Sequence, residues 1–316
     1  SKKPFLALAP MEEVTDTVFR QMVARVARPD VMFTEFTNVD GLQSAGREKL
    51  IHRLKFTEEE RPIVAQIWGK DPKNFYEATK LIKELRFDGV DINMGCPDKD
   101  VVKGGCGIAL INNRSLAEEI IAAVREGVGD LPVSVKTRIG LNKIQTEDWC
   151  GWLLEQKLDA LTVHGRTAKE KSDVPTHWDE IAKVVSLRDQ SKSKTLIIGN
   201  GDVKNALDAR RYALDASVDG VMIGRGIFEN IAAFSAKGQV LSAKENIDLL
   251  KKHLELWEKT WGSTKNFAIM KKFVKAYIKG WEGAGELRAR LFETNSLKEM
   301  AEILRDYNLL KSFPPF

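Results

Sequence analysis

The sequence predicts an α/β protein, an eight-stranded parallel (β/α)8 (TIM) barrel followed by a small all-α helical bundle. Three observations lead there. Residues 1–240 repeat one theme, a short apolar run, a polar loop and an amphipathic helical pattern. Polar residues cluster at the ends of these runs in a single alternating register. After Phe234 no strand-like run is left, and only helical patterns continue.

The expected strands are Phe5–Ala9, Val31–Thr34, Ile63–Ile67, Gly89–Asn93, Val133–Thr137, Ala160–His164, Leu196–Gly199 and Gly220–Ile223. Helical patterns such as Asn74–Leu85, Leu116–Glu126 and Val203–Ala213 lie between them. Eight strands over this length suit a barrel, with a doubly wound sheet as the structural alternative. Beyond a short linker near Lys237–Leu241, Ser242-Ala243-Lys244-Glu245 and Ser296-Leu297-Lys298-Glu299 read as capping boxes. Helices are expected near 243–261, 266–281, 284–293 and 297–307, which gives a barrel domain 1–240 and a helical domain 241–316.

Composition narrows the class. The chain has 316 residues, 43% hydrophobic and 30% charged, as in an ordinary globular protein. No apolar run is long enough to span a bilayer, and Phe5–Ala9 is too short for a secretory core. Three scattered cysteines give no disulfide framework and point to a reducing, cytoplasmic setting. Cys96 and Cys106 lack metal-ligand spacing, so no metal site is expected. The net charge of +4 resides entirely in residues 241–316, which hold 14 Lys/Arg against 10 Asp/Glu.

Alternation places Gln66, Asn93, Lys136, Arg138, His164 and Asn200 on the inward face at the C-terminal strand ends, where barrel active sites form. Each alone has an ordinary explanation as a solvated or packing residue. Together they point to a shared ligand site. Gly199-Asn200-Gly201-Asp202 and Gly224-Arg225-Gly226 follow the seventh and eighth strands, the usual phosphate position of this fold. No Gly-x-Gly-x-x-Gly follows a strand, so the expected ligand is a phosphorylated cofactor at the barrel mouth. Cys96 begins the loop after the fourth strand, placed either to exchange a proton or simply to pack.

Ala9-Pro10-Met11, Val14-Thr15-Asp16, Phe19-Arg20 and Asp91-Ile92-Asn93-Met94-Gly95-Cys96-Pro97 resemble the tRNA-dihydrouridine synthases. So do Lys136-Thr137-Arg138, His164-Gly165-Arg166-Thr167 and the two glycine loops, in the family's order. The resemblance implies an FMN flavoprotein that uses NADPH to reduce a uridine of tRNA to 5,6-dihydrouridine. It implies that Pro10, Met11, Gln66, Lys136 and His164 hold the isoalloxazine ring, and Asn200, Asp202, Gly224 and Arg225 the ribityl phosphate. It further implies that Cys96 protonates uracil C5, with Asn93 and Arg138 at the uracil edge.

From Lys259 to Lys279 there are six lysines and no acid, interleaved with aromatics. Lys271, Lys275 and Lys279 are spaced as one helical stripe, expected to bind tRNA or else to form a solvated face over packed aromatics. The protein is expected to be a monomer. Three other readings stand beside this one: a flavin oxidoreductase of the dihydroorotate or dihydropyrimidine type, a Schiff-base aldolase using Lys136, and a non-catalytic RNA-binding protein.

Overall fold

Residues 4–310 are described by a computed structural model in which eight parallel strands close on themselves. They are β1 Phe5–Leu8, β2 Val31–Phe33, β3 Ile63–Trp68, β4 Gly89–Met94, β5 Val133–Arg138, β6 Ala160–His164, β7 Leu196–Asn200 and β8 Gly220–Ile223. β1 pairs with β2 (Leu8↔Met32) and with β8 (Leu8↔Ile223), and β2 pairs in turn with β3 (Met32↔Ile63), which closes the ring. An open doubly wound sheet would leave two edges, so this closure removes that alternative. A two-residue strand, Thr37–Asn38, adds to the end of β3.

The crossover helices begin where side chains satisfy the first free N–H groups. Asp16 caps α1 (Thr17–Ala27) by accepting from Phe19 N–H at 3.0 Å. Asp71, followed by Pro72, opens α2 (Pro72–Glu84), and Asn113 caps α3 (Arg114–Val128). Both therefore start two residues before the apolar periodicity becomes visible. α4 (Thr146–Glu155) and α5 (Trp178–Gln190) follow β5 and β6. α6 runs Ala206–Ala216 rather than from Val203, because Asn205 accepts from Leu207 N–H at 2.9 Å and Asp208 N–H at 3.0 Å.

The C-terminal segment is helical, with one break. Ser242 and Glu245 form the expected capping box on α7 (Ala243–Trp261). The second box is incomplete: Ser296 Oγ accepts from Glu299 N–H, but the Glu299 carboxylate accepts from Asn295 N–H instead. The helix expected over 266–281 divides into a 3-10 turn, Phe267–Met270, and a short α8, Lys271–Tyr277. α9 (Ala284–Glu293) and α10 (Leu297–Leu310) complete it.

These helices share one apolar core with the barrel. Phe19 of α1 packs on Phe273 of α8 with ring centroids 4.9 Å apart, and Phe273 and Tyr277 are fully buried. Burying each such side chain contributes about 1.5–3 kcal/mol. Trp261 Nε1 also donates to Asp16 at 2.9 Å. The aromatic side of the lysine-rich segment thus docks the helices on the barrel. Among the described residues no helix is long and apolar enough to cross a membrane.

Candidate active site

Register assembles the site. Asn93 pairs with Lys136, Arg138 with His164, and His164 with Asn200, so four adjacent strands end in neighbouring polar residues. Around them lies a cavity of about 640 Å³ lined by Pro10, Met11, Lys136, Arg138, His164, Arg166, Asn200, Asp202, Gly224 and Arg225. This volume suits a drug-sized ligand. A larger cavity of about 1180 Å³ opens at the opposite end of the barrel among Phe5, Val64, Pro132 and Leu158. It is mainly apolar and lies away from the strand ends that carry the polar groups, so the smaller cavity is the candidate active site.

Lys136, Arg138, Arg166 and Arg225 give this cavity a concentrated positive field. Lys136 lines it with its side chain part-exposed, yet burial and then Arg138 bring its ammonium down to about 8. Burial and the surrounding cations hold His164 well below its usual range, so its imidazole is neutral. Arg166 NH1 lies 3.5 Å from His164 Nε2, which therefore accepts, and the ring proton belongs on Nδ1. Burial also brings Arg138 down to about 10.

The glycine loops bring backbone close. Gly201 has φ +131°, and a Cβ there would lie 2.5 Å from Thr176 Oγ1. At Gly226 a Cβ would lie 2.3 Å from the Val203 carbonyl, so any larger residue would separate the two loops. Asp202 accepts from Arg166 and from Thr176 N–H at 3.1 Å and Oγ1 at 2.9 Å. Burial opposes its ionisation, but these bonds prevail and hold its carboxyl below the usual range. Asn200 Nδ2 donates to the Met222 carbonyl at 2.8 Å, joining β7 to β8. A cation-lined cavity with close backbone approach fits an anionic, phosphorylated cofactor.

Cys96 lies on the loop after β4, half-buried. Its N–H donates to Asn93 Oδ1 at 2.9 Å, as does Gly95 N–H at 3.1 Å. Arg138 Nε donates to the Gly95 carbonyl at 3.0 Å, linking this loop to the cavity wall. Burial raises the Cys96 thiol above its ordinary value, while the Asp98 N–H and, less so, Arg138 only partly oppose it. The thiol therefore keeps its proton at neutral pH.

Two expected residues sit deeper than their strand-end positions imply. Gln66 is fully buried and pairs with Asp91, two residues before Asn93, because strand stagger places it one pleat lower. Its amide bonds Asp91 and Asn93 rather than facing the cavity. Asn93 is 8% exposed, and its oxygen holds the Cys96 loop.

The lysine stripe also differs from expectation. α8 ends at Tyr277, so Lys279 is off the helix and donates to the Phe228 carbonyl at 2.5 Å. Lys271 donates to the Phe292 carbonyl at 2.7 Å, while exposed Lys275 lies 6.0 Å from the Phe292 ring centroid.

Sequence reasoning gave no role to Arg166, which links His164 to Asp202. Its place two residues after a strand-end histidine was the available signal. Gly107 was also missed: at φ +59° it lies so close to Cys96 that a Cβ would meet the Cys96 carbonyl at 2.8 Å.

These features define a (β/α)8-barrel enzyme with a cation-lined ligand cavity and a protonated thiol on a neighbouring loop. The match to the family described as dihydrouridine synthase (Dus) covers residues 7–313, and the chain belongs to that family. The "Probable tRNA-dihydrouridine synthase" of Staphylococcus aureus (strain COL) is 42% identical over 308 residues, covering 96% of this chain and 93% of that protein. The "Probable tRNA-dihydrouridine synthase 2" of Bacillus subtilis (strain 168) is 42% identical over 310 residues, covering 96% and 94%. Histamine dehydrogenase from Rhizobium sp. 4-9 superposes with a TM-score of 0.55 at 13% identity, over 79% of this chain and 48% of that one. A variant of NCR from Zymomonas mobilis gives 0.51 at 16% identity, over 82% and 94%. The structural likenesses reflect the shared barrel.

Proposed function

We propose that the chain is a tRNA-dihydrouridine synthase that binds FMN in the cavity, takes electrons from NADPH and reduces a uridine C5–C6 bond. When bound, FMN reduced by NADPH supplies a hydride to C6 of the uracil. The observation that carries this reading is the cation-lined cavity joined through Arg138 to the loop of a protonated cysteine.

Pro10, Met11, Lys136 and His164 would hold the ring, and Asn200, Gly224 and Arg225 the ribityl phosphate. Asp202 would act one step removed, orienting Arg166 toward the cavity. Gln66 would support the site from below through Asp91 and Asn93. Lys136 would set its ammonium against negative charge on an electron-rich ring, in a cavity that screens it poorly. Neutral His164 offers one N–H donor without adding charge. Cys96 holds the proton that C5 requires, and its raised pKa suits a thiol that must give up a proton rather than attack. Arg138 would meet the uracil edge from the cavity wall.

A stacked tRNA base must be splayed out to reach this mouth, and the helical segment 241–316 would grip the surrounding RNA. Its excess charge supports this, with exposed Lys275 contributing directly and Lys271 and Lys279 largely by holding backbone carbonyls. A Lys136 ammonium near 8 would also suit an amine nucleophile, as in a Schiff-base aldolase.

One experiment separates these readings: the visible spectrum of purified protein supplied with FMN, before and after anaerobic NADPH. Flavin bands that bleach are expected. Protein that takes up no flavin but is trapped on Lys136 by borohydride with a carbonyl substrate would establish the aldolase instead.

A further inference from the structure

Asp91 is fully buried on β4 beneath the cavity, outside the residues that line it. Its Oδ1 accepts from Ser134 Oγ at 2.5 Å, and its Oδ2 accepts from Gln66 Nε2 at 2.6 Å. Gln66 Oε1 accepts from Asn93 Nδ2 at 3.0 Å, and Asn93 Oδ1 accepts from the N–H groups of Gly95 and Cys96. One unbroken chain of hydrogen bonds therefore runs from Asp91 to the backbone of the cysteine.

Each link has only one workable polarity. The two ends of a side-chain amide are nearly alike in shape and differ mainly in whether they donate or accept. Gln66 and Asn93 are therefore oriented by their partners rather than by packing. A carboxylate can only accept, so it must face the amino end of Gln66. That turns the Gln66 oxygen to the amino end of Asn93, and leaves the Asn93 oxygen for the loop. Reversing either amide would set donor against donor in a buried site. Burial raises the Asp91 carboxyl to about 6, so at neutral pH it remains an acceptor.

We propose that Asp91 is a positioning residue that fixes Cys96 at the site, by setting the direction of the Gln66 and Asn93 amides. This rests on the reading of Cys96 as proton donor. What Asp91 supplies is an acceptor rather than a charge.

The test compares Asp91→Leu with Asp91→Asn in the full chain. Leucine keeps the branched shape, is somewhat larger and has no acceptor. Asparagine can still accept from Gln66 through its carbonyl while its amino group donates to Ser134 Oγ. Three quantities are read: thermal unfolding, iodoacetamide alkylation of Cys96 resolved by peptide mass mapping, and dihydrouridine formation in unmodified tRNA.

In Asp91→Leu, Cys96 alkylation is expected to rise about tenfold as the loop is freed. Dihydrouridine formation is expected to fall roughly 10²-fold, the scale of a misplacement near 1 Å. Asp91→Asn is expected to stay close to wild type in both. Folded Asp91→Leu with wild-type alkylation and turnover would overturn the proposal. So would Asp91→Asn that fails in both readouts, since the charge would then be what matters. If Asp91→Leu does not fold, Asp91→Ala, which also lacks the acceptor, takes its place and is read in the same two ways. Wild-type protein that forms no dihydrouridine would refute the functional reading, whereas alkylation still reports on the loop.

Discussion

Trp261 donates its indole N–H to Asp16 Oδ2 at 2.9 Å, joining the end of α7 to the N-terminus of α1. The same oxygen accepts from Lys265 Nζ at 2.9 Å, and Asp16 Oδ1 caps α1. One buried carboxylate thus fixes both the first barrel helix and the helices that pack on it. Trp261→Phe keeps most of the apolar contact and removes one hydrogen bond to a charged acceptor. Urea unfolding is expected to show a loss of about 1.5–3 kcal/mol. An unchanged midpoint would mean that Lys265 alone secures the joint.

Lys136 should make FMN affinity pH-dependent. Its folded value of about 8 lies below its ordinary 10.5, so between those values the unfolded chain holds more protons. The cost of the buried ammonium is therefore fully present below pH 8 and is relieved as pH rises from 8 toward 10.5. An anionic ligand favours the ammonium, so FMN should bind well at pH 7 and about tenfold more weakly one unit above pH 8. Fluorescence titration of apoprotein reads this. Lys136→Met should bind weakly with little slope; a wild-type slope in that variant would point to another group.

His253 should contribute to acid sensitivity. It is fully buried, its Nδ1 lies 3.1 Å from Tyr277 Oη, and its Nε2 has no hydrogen-bond partner. Burial lowers it to about 4 from 6.5, so between these values the unfolded chain binds the extra proton. Stability is complete above pH 6.5 and falls as pH drops toward 4, by about 3 kcal/mol for this group. His253→Gln is expected to flatten that part of the stability profile, measured by urea unfolding at successive pH values.

The three lysines of the C-terminal segment should separate by role. Lys271→Ala and Lys279→Ala each remove the donor from a backbone carbonyl and are expected to lower Tm. Lys275→Ala should leave Tm unchanged and reduce the salt slope of tRNA binding by about 1. Equal salt effects from all three, with no change in Tm, would favour the single stripe that the sequence suggested.

The barrel was legible because every strand is a short apolar run, and five of the eight carry inward polar residues near their ends. Arg138, His164 and Asn200 fall on neighbouring strands at one level with Lys136 one pleat below, and alternation alone shows that all four face inward. Alternation does not show stagger between strands, which is why Gln66 sits below the mouth. Two helix starts were hidden because Asp71 and Asn113 cap them outside the apolar periodicity, and a third was expected too early because the Asn205 cap falls inside it. The break at Met270 and the end of α8 at Tyr277 depend on how Phe273 and Tyr277 pack against α1 and α7. A helical repeat of lysines carries no trace of that packing. Arg166 was hidden because it works through Asp202, which is distant in sequence.

The central claim is tested most directly by incubating unmodified tRNA with the protein, FMN and NADPH, and measuring dihydrouridine. The wild type should form it, and Cys96→Ala should still bind FMN and let NADPH bleach it while losing most product. Full product formation by Cys96→Ala would remove the thiol from the mechanism. No dihydrouridine from a wild-type protein that binds and bleaches FMN would contradict the account.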